Sequence, residues 1–177
     1  SSIARHLWPD HLTAGHAWST GRALIDDFPA GLGIRDVVGL LTAVGLGSPP
    51  AWVRPHGTLS NGEAFRADVA SALAEAGDDG LVVIDEFTSV VDRQVAQVAS
   101  HTVQKTVRRG RAQLVAVTCH YDVVDWLQPD WVFDTAGGVF TWRQVQPHPP
   151  VEVQVHRADR AAWPVFARHH YLSGNLH

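Results

Sequence analysis

The sequence predicts an α/β fold, and three observations carry that reading. Leu81-Val82-Val83-Ile84 is a short apolar run, three of its residues β-branched, of the kind a buried parallel strand uses. A second apolar run, 114–119, follows after a helical stretch of the length that a β-α-β crossover needs. Between and around them, capping residues and apolar stripes at helical spacing mark the flanking helices.

The elements follow in chain order. Residues 1–21 carry His6, His11 and His16 with Trp8 and Trp18. A five-residue spacing scatters the three histidines over different helix faces, and no cysteine or carboxylate cluster joins them, so they are expected to be surface or core side chains and not metal ligands. Ala23-Leu24-Ile25-Asp26-Asp27-Phe28-Pro29 reads as a strand running into an acidic turn. Residues 34–46 read as a helix, with Val37, Val38, Leu41 and Val44 in a stripe and Gly45 closing it before Ser48-Pro49-Pro50.

The next helix is predicted from Ser60 to about Ala76, burying Phe65, Val69, Ala72, Leu73 and Ala76. Ser60-x-x-Glu63 opens it as a capping box, the serine oxygen taking the Glu63 amide and the glutamate reaching back. Gly77-Asp78-Asp79-Gly80 turns the chain into the first strand. Asp92 suits the N-cap of a long helix running to about Arg109, with Val95, Ala99, Thr102, Val103 and Thr106 on one face. Gly110 ends it after a basic last turn. Cys119, at the end of the second strand, reads as a packed thiol. A short helix over 122–127 follows, then a hairpin whose strands, 131–134 and 139–145, flank Gly137-Gly138.

Bulk properties narrow the function classes. A length of 177 residues suits one domain, or one domain with part of another. With a formal net charge of −4 and a single lysine, Lys105, no basic field for nucleic acid is indicated. The most apolar window, 37–53, holds Gly39, Gly45, Gly47 and a Pro-Pro pair, so no membrane segment is expected. One cysteine excludes an internal disulfide and fits a cytoplasmic location.

The chemistry concentrates where the first strand stops. Asp85 and Glu86 stand at its carboxyl end, the edge at which open α/β sheets bind ligands. Two acids there are costly unless they face a cation or water, which points to a Mg²⁺-nucleotide site. Asp85 would hold the metal, and Glu86 would orient or deprotonate an attacking water. His120 ends the second strand on the same side. Each feature also has a purely structural reading: a solvated acidic turn, a capping box at Ser60 and Glu63, an N-cap at Asp92, and a lone structural histidine.

In order and spacing, Leu59-Ser60-Asn61-Gly62-Glu63, 81–86, Ser89-Val90-Val91-Asp92 and His120 together resemble the back half of an ABC-type ATPase nucleotide-binding domain over about residues 25–145. They match its signature loop, Walker B strand, D-loop and switch histidine. The resemblance implies a partial P-loop-NTPase-like parallel sheet flanked by helices, with a small helical insert and a C-terminal hairpin. It implies Asp85 on Mg²⁺, Glu86 and His120 in catalysis, and Ser60, Gly62, Glu63 and Asp92 at ATP bound by a homodimer partner or partner ATPase domain. Where the family carries its Q-loop glutamine, Asp26 or Asp27 would have to face the metal. Asn61 and Glu63 depart from the family's common Gly and Gln.

No G-x-x-x-x-G-K-[ST] stands in these residues. Either the P-loop lies upstream or the chain is a degenerate family member, and the expectation is a fragment of a soluble ABC-type ATPase, inactive or nearly so by itself. Alternatives are a non-catalytic binding or assembly module with a degenerate ATPase fold, and the ATP-binding subunit of a membrane transporter. The expected division is 1–146 for this domain, a linker at 147–150, and the start of a second domain at 151–177, where 163–174 faintly resembles the opening of a GNAT acetyltransferase.

Overall fold

In the computed structural model, residues 1–12 and 15–142 are described. The expected linker, second domain and GNAT-like stretch lie outside them. Six helices are described: α1 (Ser2–Leu7), α2 (Ile34–Ala43), α3 (Pro49–Trp52), α4 (Asn61–Ala76), α5 (Arg93–Arg109) and α6 (Asp122–Leu127). Four strands accompany them: β1 (Leu81–Ile84), β2 (Gln113–Ala116), β3 (Trp131–Asp134) and β4 (Val139–Trp142). β1 and β2 pair in parallel, Leu81 opposite Gln113 and Ile84 opposite Ala116, with α5 as the crossover between them. β3 and β4 form the antiparallel hairpin, Trp131 opposite Trp142.

α4 is nearly buried all round, which its small residues allow. Ala67, Ala70 and Ser71 join Phe65, Val69, Ala72 and Leu73 in the interior. It starts at the Ser60 capping box and stops at Gly77, whose φ of 70° is the left-handed conformation that glycine takes without steric cost. The short turn to β1 sends the chain back, so the first turn of α4 lies beside the carboxyl end of β1. The Phe65 and Phe87 rings meet there edge to face, 5.4 Å apart.

α2 and α3 form the small helical insert, and two threonines of α5 fasten it. Thr102 Oγ1 donates to the Val44 carbonyl at 3.0 Å, and Thr106 Oγ1 donates to the Ala43 carbonyl at 2.9 Å. These oxygens belong to the unpaired last turn of α2, so the bonds both cap that helix and dock it. Leu24, Leu41, Val44, Val83 and Phe87 are fully enclosed in the core.

Three expectations are corrected. Residues 24–26 form a single 3-10 turn, not a strand, because Asp27 folds the chain back onto Ser19. β2 ends at Ala116 and is only half-buried, since β1 is its one paired neighbour among the described residues. The segment 114–119 is therefore not a fully buried strand. Cys119 lies beyond its end and is exposed, so it is not a packed thiol. The other side of β1 meets a neighbour that sequence periodicity does not announce: Val83 N–H donates to the His11 carbonyl at 3.2 Å, a parallel bridge centred on Leu12.

One face of the hairpin carries four aromatic rings. Trp131, Phe133, Phe140 and Trp142 share it by register. Trp131 stacks on Phe140 at 5.7 Å and on Trp8 at 6.5 Å, and Phe140 meets Trp142 at 5.3 Å. Phe133, Phe140 and Trp142 are exposed.

Candidate functional site

The parallel register brings the two strand ends side by side. Val117 N–H donates to the Ile84 carbonyl at 2.9 Å, and Phe87 N–H donates to the Val117 carbonyl at 2.8 Å. Asp85 and Glu86 thus leave the sheet next to Val117, and His120 lies three residues farther along the neighbouring chain segment. All three occupy the carboxyl edge of the parallel pair.

Asp85 is half-buried, and its carboxylate accepts the Glu86 N–H at 3.1 Å. A partly open carboxylate is the kind of oxygen ligand that a hard divalent cation takes, so the group fits a metal ion chemically. A Mg²⁺ ion shared with phosphates needs only one or two protein carboxylates.

Glu86 is exposed and stands at φ 54°, and Thr88 at φ 66°. Left-handed conformations at two non-glycine residues, one of them β-branched, are unusual and costly. They turn the chain sharply out of β1 while Phe87 plugs the core. Ser89 Oγ closes the turn, donating to the Glu86 carbonyl at 2.6 Å and lying 3.3 Å from Glu86 Oε2. His120 is half-buried; its N–H donates to Thr118 Oγ1 at 3.1 Å, and its carbonyl accepts the Val123 N–H. Asp122, beside it, is drawn below its ordinary pKa mainly by Arg93 and slightly by His120.

The second group of predicted residues gathers at two neighbouring helix starts. Ser60 Oγ accepts the Glu63 N–H at 3.4 Å, and Ser60 N–H donates to Glu63 Oε2 at 2.9 Å. Ser60 Oγ also donates to the same carboxylate at 3.0 Å. These bonds, the backbone one foremost, lower the pKa of Glu63, and Arg54 adds to them from 3.3 Å. Asp92 Oδ1 accepts the Gln94 and Val95 N–H groups at the start of α5. Gly62 is where the two helices touch. A Cβ there would lie 2.7 Å from Val95 Cγ1, so the close approach that glycine permits is used by a side chain of α5.

Asp85, Glu86 and His120 are thus brought to one edge. Ser60, Gly62, Glu63 and Asp92 form a second cluster, tied to the first through Phe65 and Phe87. Asp27 joins neither. Its carboxylate accepts from Ser19 N–H and Oγ and pairs with Arg22, so it locks its own loop instead of facing a metal. The neighbouring Asp26 gives its backbone carbonyl to the Arg22 guanidinium. Arg54, which completes one cluster, was not singled out from the sequence, and Ser89 was read there only as the first residue of the D-loop match. A lone arginine in a Pro- and Gly-rich connector carries no spacing signal, and the role of Ser89 appears only once the turn is bent.

No family model matches the sequence. An uncharacterized ABC transporter ATP-binding protein of Mycobacterium tuberculosis, found in two strains, is 35% identical over 105 residues. That match covers 58% of this chain and 14% of the relative. Among solved structures, a dimeric post-hydrolysis state of an ATP-binding cassette bound to ADP and Pi superposes with a TM-score of 0.52 at 15% identity, over 66% of this chain and 54% of that one. The ADP conformation of another ABC transporter's cassette gives 0.53 at 13% identity, over 70% and 54%. The chain spans about half the length of the solved cassettes. The described fold is accordingly that of part of an ATP-binding cassette.

Proposed function

We propose that this chain is part of an ABC-type ATPase that binds and hydrolyses Mg-ATP in its intact parent, at an interface with a second cassette. The supporting observation is the placement of Asp85, exposed Glu86 and His120 at one carboxyl edge of a parallel pair within a cassette-like fold.

Asp85 would hold Mg²⁺, directly or through water; the ion, when bound, neutralises phosphate charge. Glu86, turned outward by its left-handed backbone, orients a water and accepts its proton. His120 contributes a hydrogen bond toward the terminal phosphate. Ser60, Gly62 and Glu63, with Asp92 beside them, meet the nucleotide of the partner, where the free amides and positive end of α4 favour an anion. The dimeric, ADP-bound state of one structural neighbour supports this arrangement.

Phosphoryl transfer depends on a phosphate cradle that these residues do not supply. The chain by itself is expected to release no phosphate from Mg-ATP above background in a malachite-green assay. The parent, expressed from the full reading frame, is expected to turn over ATP and to lose at least about 100-fold of that rate with Glu86→Gln. Turnover by the parent that is insensitive to Glu86→Gln would remove Glu86 from catalysis. A parent without a G-x-x-x-x-G-K-[ST] motif and without nucleotide binding by calorimetry would favour a non-catalytic assembly module. That second reading has one observation on its side: Ser60, Gly62, Glu63 and Asp92 are all engaged in capping or packing within the chain.

A further inference from the structure

Away from the strand edge, the segment 15–19 crosses α4 through a cluster of rings and acids. Trp18 lies at its centre. Its ring stacks flat on His56, 4.7 Å away, and meets His16 edge-on at 4.4 Å. Trp18 Nε1 donates to Asp68 Oδ1 at 2.7 Å, and His56 Nε2 is 3.0 Å from the same oxygen. Asp68 and Glu75, seven residues apart on α4, therefore present two carboxylates to two imidazoles on either side of one indole.

The contacts of His16 are chemically one-sided. Nδ1 lies 3.0 Å from Glu75 Oε1, and Nε2 lies 2.7 Å from the Asp27 carbonyl oxygen. Both partners are acceptors. A neutral imidazole has one N–H and can satisfy only one of them; the imidazolium has two and satisfies both. Turning the ring over does not help, since it would set carbon atoms against both oxygens. Acids stand around the ring. Glu75 faces it from α4, the Asp27 carboxylate lies behind the carbonyl, and Asp68 stands beyond Trp18. Of the basic groups beside these acids, Arg22 is paired to Asp27, and His56 lies 3.0 Å from Asp68.

We propose that His16 is a proton-operated clasp that holds residues 15–19 and the Asp27 turn on α4 when its ring is doubly protonated and loosens them when the ring is neutral. The strap bears no residue of the nucleotide site, so the clasp stands whether or not that site is correctly assigned. Its sign follows from the donor count: the fully bonded form exists at low pH, and raising the pH removes one of two hydrogen bonds. α4 carries both carboxylates of the clasp and opens with the Ser60–Glu63 cap, so the strap bears on the helix that presents that cap.

Amide hydrogen exchange of the whole chain reads the clasp directly. Trp18 N–H donates to the His16 carbonyl and Ser19 N–H to the Asp27 carboxylate, so both amides belong to the strap. Their protection factors, corrected for intrinsic exchange, are expected to fall about tenfold between about pH 5.5 and about pH 8.5, the range in which histidines change charge while carboxylates stay ionised. Amides in β1 should not follow. His16→Gln, with a side chain that can never charge, is expected to flatten the dependence. Glu75→Gln, at a half-exposed position that folding tolerates, should weaken it as well. Protection that is flat with pH in the unaltered chain would overturn the proposal. So would a dependence that survives His16→Gln, that Glu75→Gln leaves unchanged, or that disappears only with His56→Gln.

Discussion

Gly62 shows how one residue can answer to two readings. At a helix start facing phosphate, a glycine allows close backbone approach by a ligand; here the neighbour is Val95, and an added methyl would stand 2.7 Å from its Cγ1. Gly62→Ala is expected to destabilise the chain by about 1–3 kcal/mol, the usual cost of overpacking. Val95→Ala introduced with it should recover most of that loss in urea denaturation, because the two side chains compete for one space. A Gly62→Ala chain as stable as the original would mean that α4 and α5 separate without cost. Ser60, Glu63 and Asp92 were legible at this scale, since capping is a local pattern of side chain and backbone. Gly62 was legible as a glycine that matters, but Val95 could not be identified as its neighbour from spacing, because a helix–helix contact is non-local.

Elements were legible where an element is made by its own sequence. α4, α5, α6, β1 and the hairpin stand where periodicity and caps put them. The failures occurred where tertiary contacts decide. Residues 23–29 have the composition of a strand, yet the Asp27 carboxylate collects Ser19 and Arg22 and bends the segment into a single turn. Those bonds, the Ser19 N–H above all, hold the pKa of Asp27 below the ordinary carboxylate value, opposed by burial. The sign of the pH effect follows. The ionised form is the one bound in the folded chain, so its contribution is complete above about pH 4 and is lost as pH falls through the lower folded value. Urea midpoints of the unaltered chain and of Asp27→Asn should therefore differ at about pH 5 and converge toward about pH 2.5. A gap that stays constant or widens on acidification would contradict the assignment.

At the scale of the molecule, the order of motifs was legible and their embedding was not. The strand tip, the capped helix and the histidine all lie at one end because a β-α-β unit and a short αβ turn leave no other place for them. The N-terminal bridge to β1, the threonine dock for the helical insert and the imidazole–indole strap have no periodic signature, and each joins residues more than 35 positions apart. No helix among the described residues is long and apolar enough to cross a membrane.

The aromatic face of the hairpin has a practical consequence for handling the chain. Phe133, Phe140 and Trp142, on one face of the hairpin, offer water a greasy plate, and such plates attract one another. Retention on a phenyl column and a negative second virial coefficient in light scattering are the expected signs. Trp142→Lys, at a position 71% open to solvent, should diminish both without lowering the melting temperature. Unchanged retention would mean that the plate is not what makes the surface adhesive.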